Sequence, residues 1–257
     1  MKRLLGTVGL ALGVVAFGAT SSAEAASFLS IQVGATTISC DNSTAAGVLA
    51  CTAAGFDTSL NANTINFTGA LAGVTFGDAD TVGVQLQGNQ PGGVVAFATD
   101  TKSVVTNTTA VTQNVIVMFA SNNFSLPAGS PLNLSATQNF QNVVGSAAMT
   151  QNFTGSGDPN NSLTPGAGTD TSTPPCNVGP SPPSNSCAQN SPTVQFARTG
   201  NFALSGTQSF NLVAGATVNA QGSVNVFASP TVPEPGSMLL LGAGLLMVAR
   251  RFRKQIA

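Results

Sequence analysis

Short runs in which apolar and polar residues alternate are the dominant pattern in the middle of the chain. Val82, Val84 and Leu86 alternate with glycine and glutamine, whereas 115–120 is apolar at every position, which is typical of a central strand. Further candidate strands cover 28–33, 64–68, 94–99, 104–108, 194–197, 201–204, 210–213 and 218–227. Gly, Asn and Pro separate these runs, and clear helical periodicity is hard to find. The pattern predicts an all-β fold, a single β-sandwich or jelly-roll-like domain over 26–231.

A weak internal echo accompanies this pattern. TQNF occurs at 137–140 and at 150–153, TGNF at 199–202 and TQSF at 207–210. The phenylalanine that ends each tetrapeptide is a candidate for the first inward residue of a strand. The spacing is irregular, so similar strand composition explains the echo better than a solenoid or propeller does.

Residues 155–192 have a different composition, because they hold eight of the 14 prolines together with many Gly, Ser, Asn and Thr. Proline cannot donate a hydrogen bond to a sheet ladder, so this segment is not expected to supply a central strand. We expect a long surface loop that leaves the sheet. A linker between two domains is the alternative, but 193–228 alone offers too few strands for a second core.

Four cysteines occur as two pairs, and each pair encloses ten residues. Four cysteines allow three pairings, and the sequence alone does not choose among them. The equal spacing and loop-like contents favour the local disulfides Cys40–Cys51 and Cys176–Cys187, the second of which would staple the proline-rich loop. A zinc site is the rival interpretation, but the chain has neither His nor a CxxC pair.

Charge is scarce, at 7% of residues, and it is unevenly placed. Between 26 and 231 seven Asp stand against two cations, Lys102 and Arg198, which gives a net charge of −5. Two cations cannot neutralise a phosphate backbone, so nucleic-acid binding is excluded. The chain also lacks His, the usual general base near neutral pH. A Ser–Lys dyad would depend on Lys102, in TDTKSV, for which a solvated turn lysine is the better interpretation.

Asp78 and Asp80, in GDADTVG, are the candidate chemical site of the body. A glycosidase pair would need two such carboxylates across a sugar cleft, but no Trp or Tyr is present to stack a sugar ring. Calcium is the better chemical hypothesis, with Asp57 or Asp100 as the candidates for a further ligand. The alternative is that these residues make Asx-turns between strands. We expect no catalytic activity and no cofactor other than this calcium.

The N-terminus is typical of a secretory signal. Met1-Lys2-Arg3 is followed by an apolar run over 4–19 and then by small residues. Ala23 and Ala25 occupy the −3 and −1 positions of a cleavage site, which predicts a signal helix over 1–25 that signal peptidase removes. An uncleaved membrane anchor is the alternative.

The C-terminus combines three features in a fixed order. Pro233, Glu234 and Pro235 precede a charge-free stretch, 236–249, and then the basic cluster Arg250, Arg251, Arg253 and Lys254. As a helix, 236–249 would span about 21 Å, short of the ~30 Å hydrocarbon core, so it suits a transient transmembrane segment better than a permanent anchor. The basic cluster is expected to stay cytoplasmic. A plain tail anchor on a periplasm-facing protein is the alternative.

This arrangement over 232–257 resembles the PEP-CTERM protein-sorting domain of Gram-negative bacteria that make exopolysaccharide. The resemblance implies that exosortase, a membrane protease-transpeptidase, recognises the motif residues Pro233, Glu234 and Pro235 and removes the tail. It also implies passage through the inner membrane to the cell surface or extracellular matrix, and a link with exopolysaccharide and biofilm. We therefore expect an exported, non-catalytic surface or matrix protein. A calcium- or polysaccharide-binding module is the alternative, and it would show a groove with exposed Phe and Asn or Gln.

Overall fold

Two antiparallel β-sheets pack face to face in the computed structural model, which describes residues 25–229 apart from 184. The first sheet contains, in spatial order, β12 (Thr169–Ser172), β11 (Met149–Asp158), β16 (Phe202–Leu212), β9 (Gln113–Phe124), β1 (Ser27–Val33) and β2 (Thr36–Asp41), and β13 (Cys176–Val178) pairs with β11. The expectation of an all-β sandwich is confirmed. The apolar run at 115–120 lies in β9, between β16 and β1, and is a central strand as predicted.

The second sheet is wider. Its spatial order is β14 (Asn185–Asn190), β10 (Leu132–Val144), β17 (Thr217–Ala228), β8 (Val95–Asn107), β7 (Val84–Gly88), β4 (Thr64–Phe67) and β3 (Phe56–Asp57). Three short strands pair beside this path, namely β5 (Gly69–Leu71), β6 (Val74–Phe76) and β15 (Val194–Phe196). The candidate strands at 94–99 and 104–108 are one strand, β8, and those at 201–204 and 210–213 are likewise one strand, β16.

The inward residues of both sheets share one hydrophobic core. The four phenylalanines that end the echoed tetrapeptides, Phe140, Phe153, Phe202 and Phe210, are all buried in it. The rings of Phe140 and Phe210 lie 5.6 Å apart and join the two sheets, because the first belongs to β10 and the second to β16. The phenylalanines therefore mark inward positions, but only Phe202 begins its strand, so the expectation that each is the first inward residue is wrong for the other three.

The alternation of apolar residues did not reveal β10 and β11, although they are among the longer strands. Their inward positions include Gln138, Asn142 and Gln151, all of which are buried. Gln151 donates to the side chain of Gln138 across the sandwich at 2.9 Å, which satisfies part of their hydrogen-bonding capacity. Polar residues that pair with each other in a core interrupt the alternation by which a strand is recognised.

The Cys40–Cys51 disulfide forms, and the loop it closes contains a helix, α1 (Ala45–Ala53), which the sequence pattern did not predict. Thr44 caps the helix by accepting a hydrogen bond from Gly47 N at 3.0 Å. The disulfide fixes this short helix to β2, so a segment of nine residues does not depend on helix propensity alone.

The proline-rich segment carries more regular structure than the expected loop. Its first residues, 155–158, complete β11, which lies between β12 and β16, so the expectation that the segment supplies no central strand is wrong there. The first proline is at 159, and the part that contains the prolines supplies only the short strands β12, β13 and β14 at the margins of the sheets. The Cys176–Cys187 disulfide forms as predicted and joins β13 of the first sheet to β14 of the second. The cross-link therefore holds the two sheets together at one edge.

The predicted signal segment up to residue 24, with Ala23, and the tail from 230, with its motif and basic residues, lie outside the described residues. Ala25, the last residue of the predicted signal segment, is the first residue that the structure describes. Within 25–229, no helix is long and apolar enough to cross a membrane.

Candidate functional site

The outward side chains of five strands of the second sheet form a broad surface without charged residues, which we name the polar face. Asp57, exposed on β3 opposite Asn66, borders this surface. Side chains on one strand alternate between faces, so every second residue of β4, β7, β8, β17 and β10 points outward. The polar face consists of Thr64, Asn66, Gln85, Gln87, Thr99, Thr101, Ser103, Ser135, Thr137, Asn139, Gln141, Asn219, Gln221, Ser223 and Asn225.

Strand register places these side chains in rows across the sheet. One row runs through Thr64, Gln87, Thr99, Ser223 and Thr137 on five adjacent strands. Neighbouring strands lie about 4.8 Å apart, so the row is roughly 19 Å long. The hydroxyl oxygens of Thr99 and Ser223 are hydrogen-bonded at 2.9 Å, which fixes the middle of the row.

A shallow groove of about 170 Å³ lies in the polar face where β8, β17 and β10 meet. A bulge between Val218 and Ala220 shifts the register against β8 and opens the surface at this point. Asn219 is held in place because its Oδ1 accepts from Val104 N at 2.9 Å and its Nδ2 donates to Gln141 Oε1 at 3.3 Å. The side chains around it are Thr101, Ser103, Asn139, Gln141, Asn219 and Gln221.

Two phenylalanines border the polar face at one end. Phe97 lies opposite Asn225, and Phe227 lies on the next row, opposite Val95. Both rings are half-buried, whereas Asn139 and Gln221 in the groove are exposed. Amides and hydroxyls can both donate and accept hydrogen bonds, and the rings add an apolar surface. The surface therefore offers many neutral hydrogen bonds, which is suited to a hydroxyl-rich ligand without charge.

The Asp78–Asp80 segment forms a turn between β6 and β7. Asp78 Oδ1 accepts from Asp80 N at 3.0 Å, and hydrogen bonds from Asp80 and Thr81 lower the pKa of the Asp78 carboxyl. This is the Asx-turn geometry that was the alternative to calcium. No group of three or more carboxylates, thiolates or imidazoles that could hold a metal ion occurs among residues 25–229. Calcium here stays a prediction, which a thermal melt unchanged by Ca²⁺ and by chelator would contradict.

Lys102 is not the solvated turn lysine that its polar neighbours suggested. It lies inside β8, points into the core and is fully buried. Its Nζ contacts Asp100 Oδ2 on the same strand and Gln208 Oε1 on β16. Asp100 is therefore committed to the core, and it is not available to a surface calcium site.

Arg198, the other cation of the body, organises a loop. Its guanidinium donates to the carbonyls of Ser125, Pro127, Gly129 and Gly200 at 2.7–3.3 Å and lies over the ring of Phe202 at 5.0 Å. A cavity of about 370 Å³ adjoins it. Because four carbonyls already occupy the guanidinium, the residue fixes the loop and does not present a free positive charge.

Comparison with known proteins concerns only the tail. Residues 231–254 match the model of the PEP-CTERM protein-sorting motif, and this confirms the resemblance noted from Pro233, Glu234 and Pro235. No protein of curated function matches the chain. The motif marks an exported protein of a Gram-negative bacterium that is sorted through the membrane by exosortase.

Proposed function

We propose that the mature body is a non-catalytic component of the cell surface or extracellular matrix, where its polar face binds neutral exopolysaccharide. The tail directs the chain to exosortase, which removes it and releases the β-sandwich. The observation that carries the binding step is the polar face, an uncharged array of hydroxyls and amides across five strands with a groove at its centre.

The chemistry of the surface favours a polysaccharide over other partners. A neutral polysaccharide presents hydroxyls at regular intervals, and each can pair with a Thr, Ser, Asn or Gln side chain. Phe97 and Phe227 offer apolar contact to the CH groups of a sugar ring. A nucleic acid would instead need cations, and Lys102 and Arg198 are both occupied by intramolecular contacts.

The absence of catalysis is part of the proposal. The Asp100 carboxylate is buried against Lys102, and the exposed Asp78 closes its own turn. A hydrolytic pair needs two carboxylates facing one cleft. The groove side chains are amides and hydroxyls, which bind a sugar without cleaving it.

Sedimentation with the exopolysaccharide of the native host tests the binding step. The double variant Asn139→Ala/Gln221→Ala removes two exposed amides from the groove and should weaken binding roughly thirtyfold, because each hydrogen bond contributes about 1 kcal/mol. The matched control is Asn152→Ala/Ser172→Ala, which removes two exposed polar groups from the outer face of the first sheet. Equal binding by both double variants would contradict the assignment to the polar face.

Intact mass of the protein from the inner membrane, cell surface and culture medium tests the sorting step. Loss of the signal segment before Ala26 and of the tail after about Pro233 is expected in the surface and medium fractions. The variant Pro233→Ala/Glu234→Ala/Pro235→Ala should retain its tail and stay in the inner membrane. An intact wild-type tail found only in the inner membrane would instead indicate a permanent anchor.

A further inference from the structure

Three polar side chains meet in the centre of the core, between the two sheets. Asp100 and Lys102 come from β8 of the second sheet and Gln208 comes from β16 of the first, and none of the three side chains is exposed. Lys102 Nζ contacts both Asp100 Oδ2 and Gln208 Oε1. In the ladders, Lys102 is flanked by the buried residues Val84 and Ala220. The amine therefore meets a carboxamide of the opposite sheet at a site that is buried from the protein surface.

The amide nitrogen of Gln208 has no comparable contact. Gln208 Nε2 is buried, and it has no hydrogen-bond partner within the part of the chain that the structure describes. Buried polar groups are nearly always paired, and an unpaired one calls for an explanation. The carbonyl end of this side chain is engaged by Lys102, so the unpaired nitrogen is the group that would leave if the amine attacked the carboxamide carbon.

We propose that Lys102 and Gln208 become joined by an isopeptide bond between Lys102 Nζ and Gln208 Cδ, formed with release of ammonia and with Asp100 as the proton carrier. The bond would connect strands of opposite sheets whose cross-linked residues are 106 positions apart in the sequence.

The protonation states in the core favour this reaction. Burial raises the pKa of the Asp100 carboxyl and lowers the pKa of the Lys102 ammonium, although their mutual attraction opposes both shifts. Both shifts move the pair towards a neutral amine and a protonated acid, and the neutral amine is the nucleophilic form of lysine. Gly222 N donates to Asp100 Oδ1 at 3.0 Å, which holds the carboxyl beside the amine.

The reaction balances with the three side chains alone. The lone pair of the neutral Lys102 Nζ attacks Gln208 Cδ, and the protonated Asp100 donates its proton to Nε2. The Asp100 carboxylate so formed takes a proton from the attacking nitrogen, the Cδ–Nε2 bond breaks, and ammonia leaves. The product is a secondary amide beside a carboxylic acid, so no charge and no unpaired Nε2 remain in the core. No oxidant, metal or external nucleophile takes part.

The folded chain already holds the amine of Lys102 close to the carboxamide of Gln208. Cδ is bonded to Oε1, which Lys102 Nζ already contacts, so the amine has to move by only about one bond length. Gly222 keeps the space open, because a Cβ there would come within 2.8 Å of Asp100 Oδ1. The site thus needs the folded sandwich and would form the bond only after both sheets have assembled.

Trypsin digestion of the purified mature protein, reduced and fully denatured, tests the bond directly. Lys102 and Arg198 are the only basic residues between 26 and 231. With the bond present, trypsin cannot cut after the acylated Lys102, and the two pieces produced at Arg198 stay joined through Gln208. The intact mass is then lower than the sequence mass by one ammonia, and fragmentation locates the link. Cleavage after Lys102 at the unmodified mass would overturn the proposal.

Variants and a matched control identify the participants. Gln208→Met should restore the unmodified mass and the cut after Lys102, and Asp100→Asn should abolish or greatly slow bond formation. Gln151→Met removes another buried glutamine that does not touch Lys102, and it should keep the link. A mass lower by one water, with the link at Asp100, would contradict the assignment to Gln208. If a variant does not fold, the digest of the wild-type protein still decides the question.

Discussion

At the residue scale, Arg198 shows how a lone cation serves structure. Its guanidinium satisfies four backbone carbonyls, whereas a lysine ammonium cannot span the same fork. We expect Arg198→Lys to lower the free energy of unfolding by about 1–2 kcal/mol in urea titration. Thr199→Ala, an exposed neighbour, should change it by less than about 0.5 kcal/mol. Equal stability of Arg198→Lys and wild type would show that the carbonyl contacts contribute nothing.

Asp158 makes the stability of the fold depend on pH in the acid range. Burial opposes its ionisation, but hydrogen bonds from Ser162 and Asn160 together lower the pKa of the carboxyl. Because the folded pKa lies below the unfolded value, the carboxylate stabilises the fold above about pH 4, and this contribution disappears as the pH falls through the folded pKa.

Asp158→Asn should therefore lower the unfolding free energy at pH 7 by about 1–2 kcal/mol. The difference from wild type should shrink as the pH falls through the folded pKa of Asp158, because the wild-type side chain then becomes neutral like that of the variant. Urea titrations at several pH values measure this, with the exposed Asp170→Asn as control. A difference that stayed constant with pH would exclude ionisation as its cause.

The burial of Lys102 is a feature of a single residue that could not be predicted from the sequence. TDTKSV is polar at five of its six positions, so nothing local distinguishes a core strand from a turn. What keeps the lysine inside is Gln208, which lies on another sheet. A partner 106 positions away leaves no trace in local periodicity. Gln138 and Gln151 are only 13 positions apart, but they too pair between opposite sheets, which local periodicity does not show.

At the scale of elements, the two disulfides have equal loop lengths but hold different structures. Each links cysteines 11 positions apart, so the chain-entropy model gives each about 3 kcal/mol. Cys40–Cys51 fixes α1 to β2, whereas Cys176–Cys187 connects edge strands of the two sheets.

We therefore expect Cys40→Ser/Cys51→Ser and Cys176→Ser/Cys187→Ser to lose similar global stability in urea titration. Only the second variant should lose amide hydrogen-exchange protection along β14 and the paired side of β10, because β14 is an edge strand. Unchanged protection of β14 in that variant would show that strand pairing alone holds the edge.

Strands whose inward residues are apolar could be predicted from the sequence, as β1, β7, β9 and β17 were. The edge strands of the proline-rich segment could not, since such short strands, of three to six mostly polar residues between prolines, are specified by the strands they pair with. The polar face could not be predicted from the sequence for a related reason. Its residues are distributed over 64–225, and only the register of five strands gathers them.

At the scale of the whole molecule, the scarcity of charge determines how the body meets a partner. The polar face carries no charged side chain, although Asp57 lies at its border, and the body has a net charge of −5 with both cations engaged. Binding to a neutral polysaccharide should then rest on hydrogen bonds and apolar contact, which salt screens little. We expect the apparent affinity to change by less than about twofold between 0.05 and 0.5 M NaCl, although the Debye length falls severalfold across that range.

Co-sedimentation at both salt concentrations measures this, and Gln221→Lys gives a matched contrast because it places one cation in the groove. With a neutral polysaccharide, that variant should bind more weakly at both salt concentrations, since it loses an amide. With an anionic polysaccharide it should instead bind more tightly at low salt and lose the gain at high salt. A wild-type affinity that falls steeply with salt would mean that charge carries the interaction, and the polar face would then not be the binding surface.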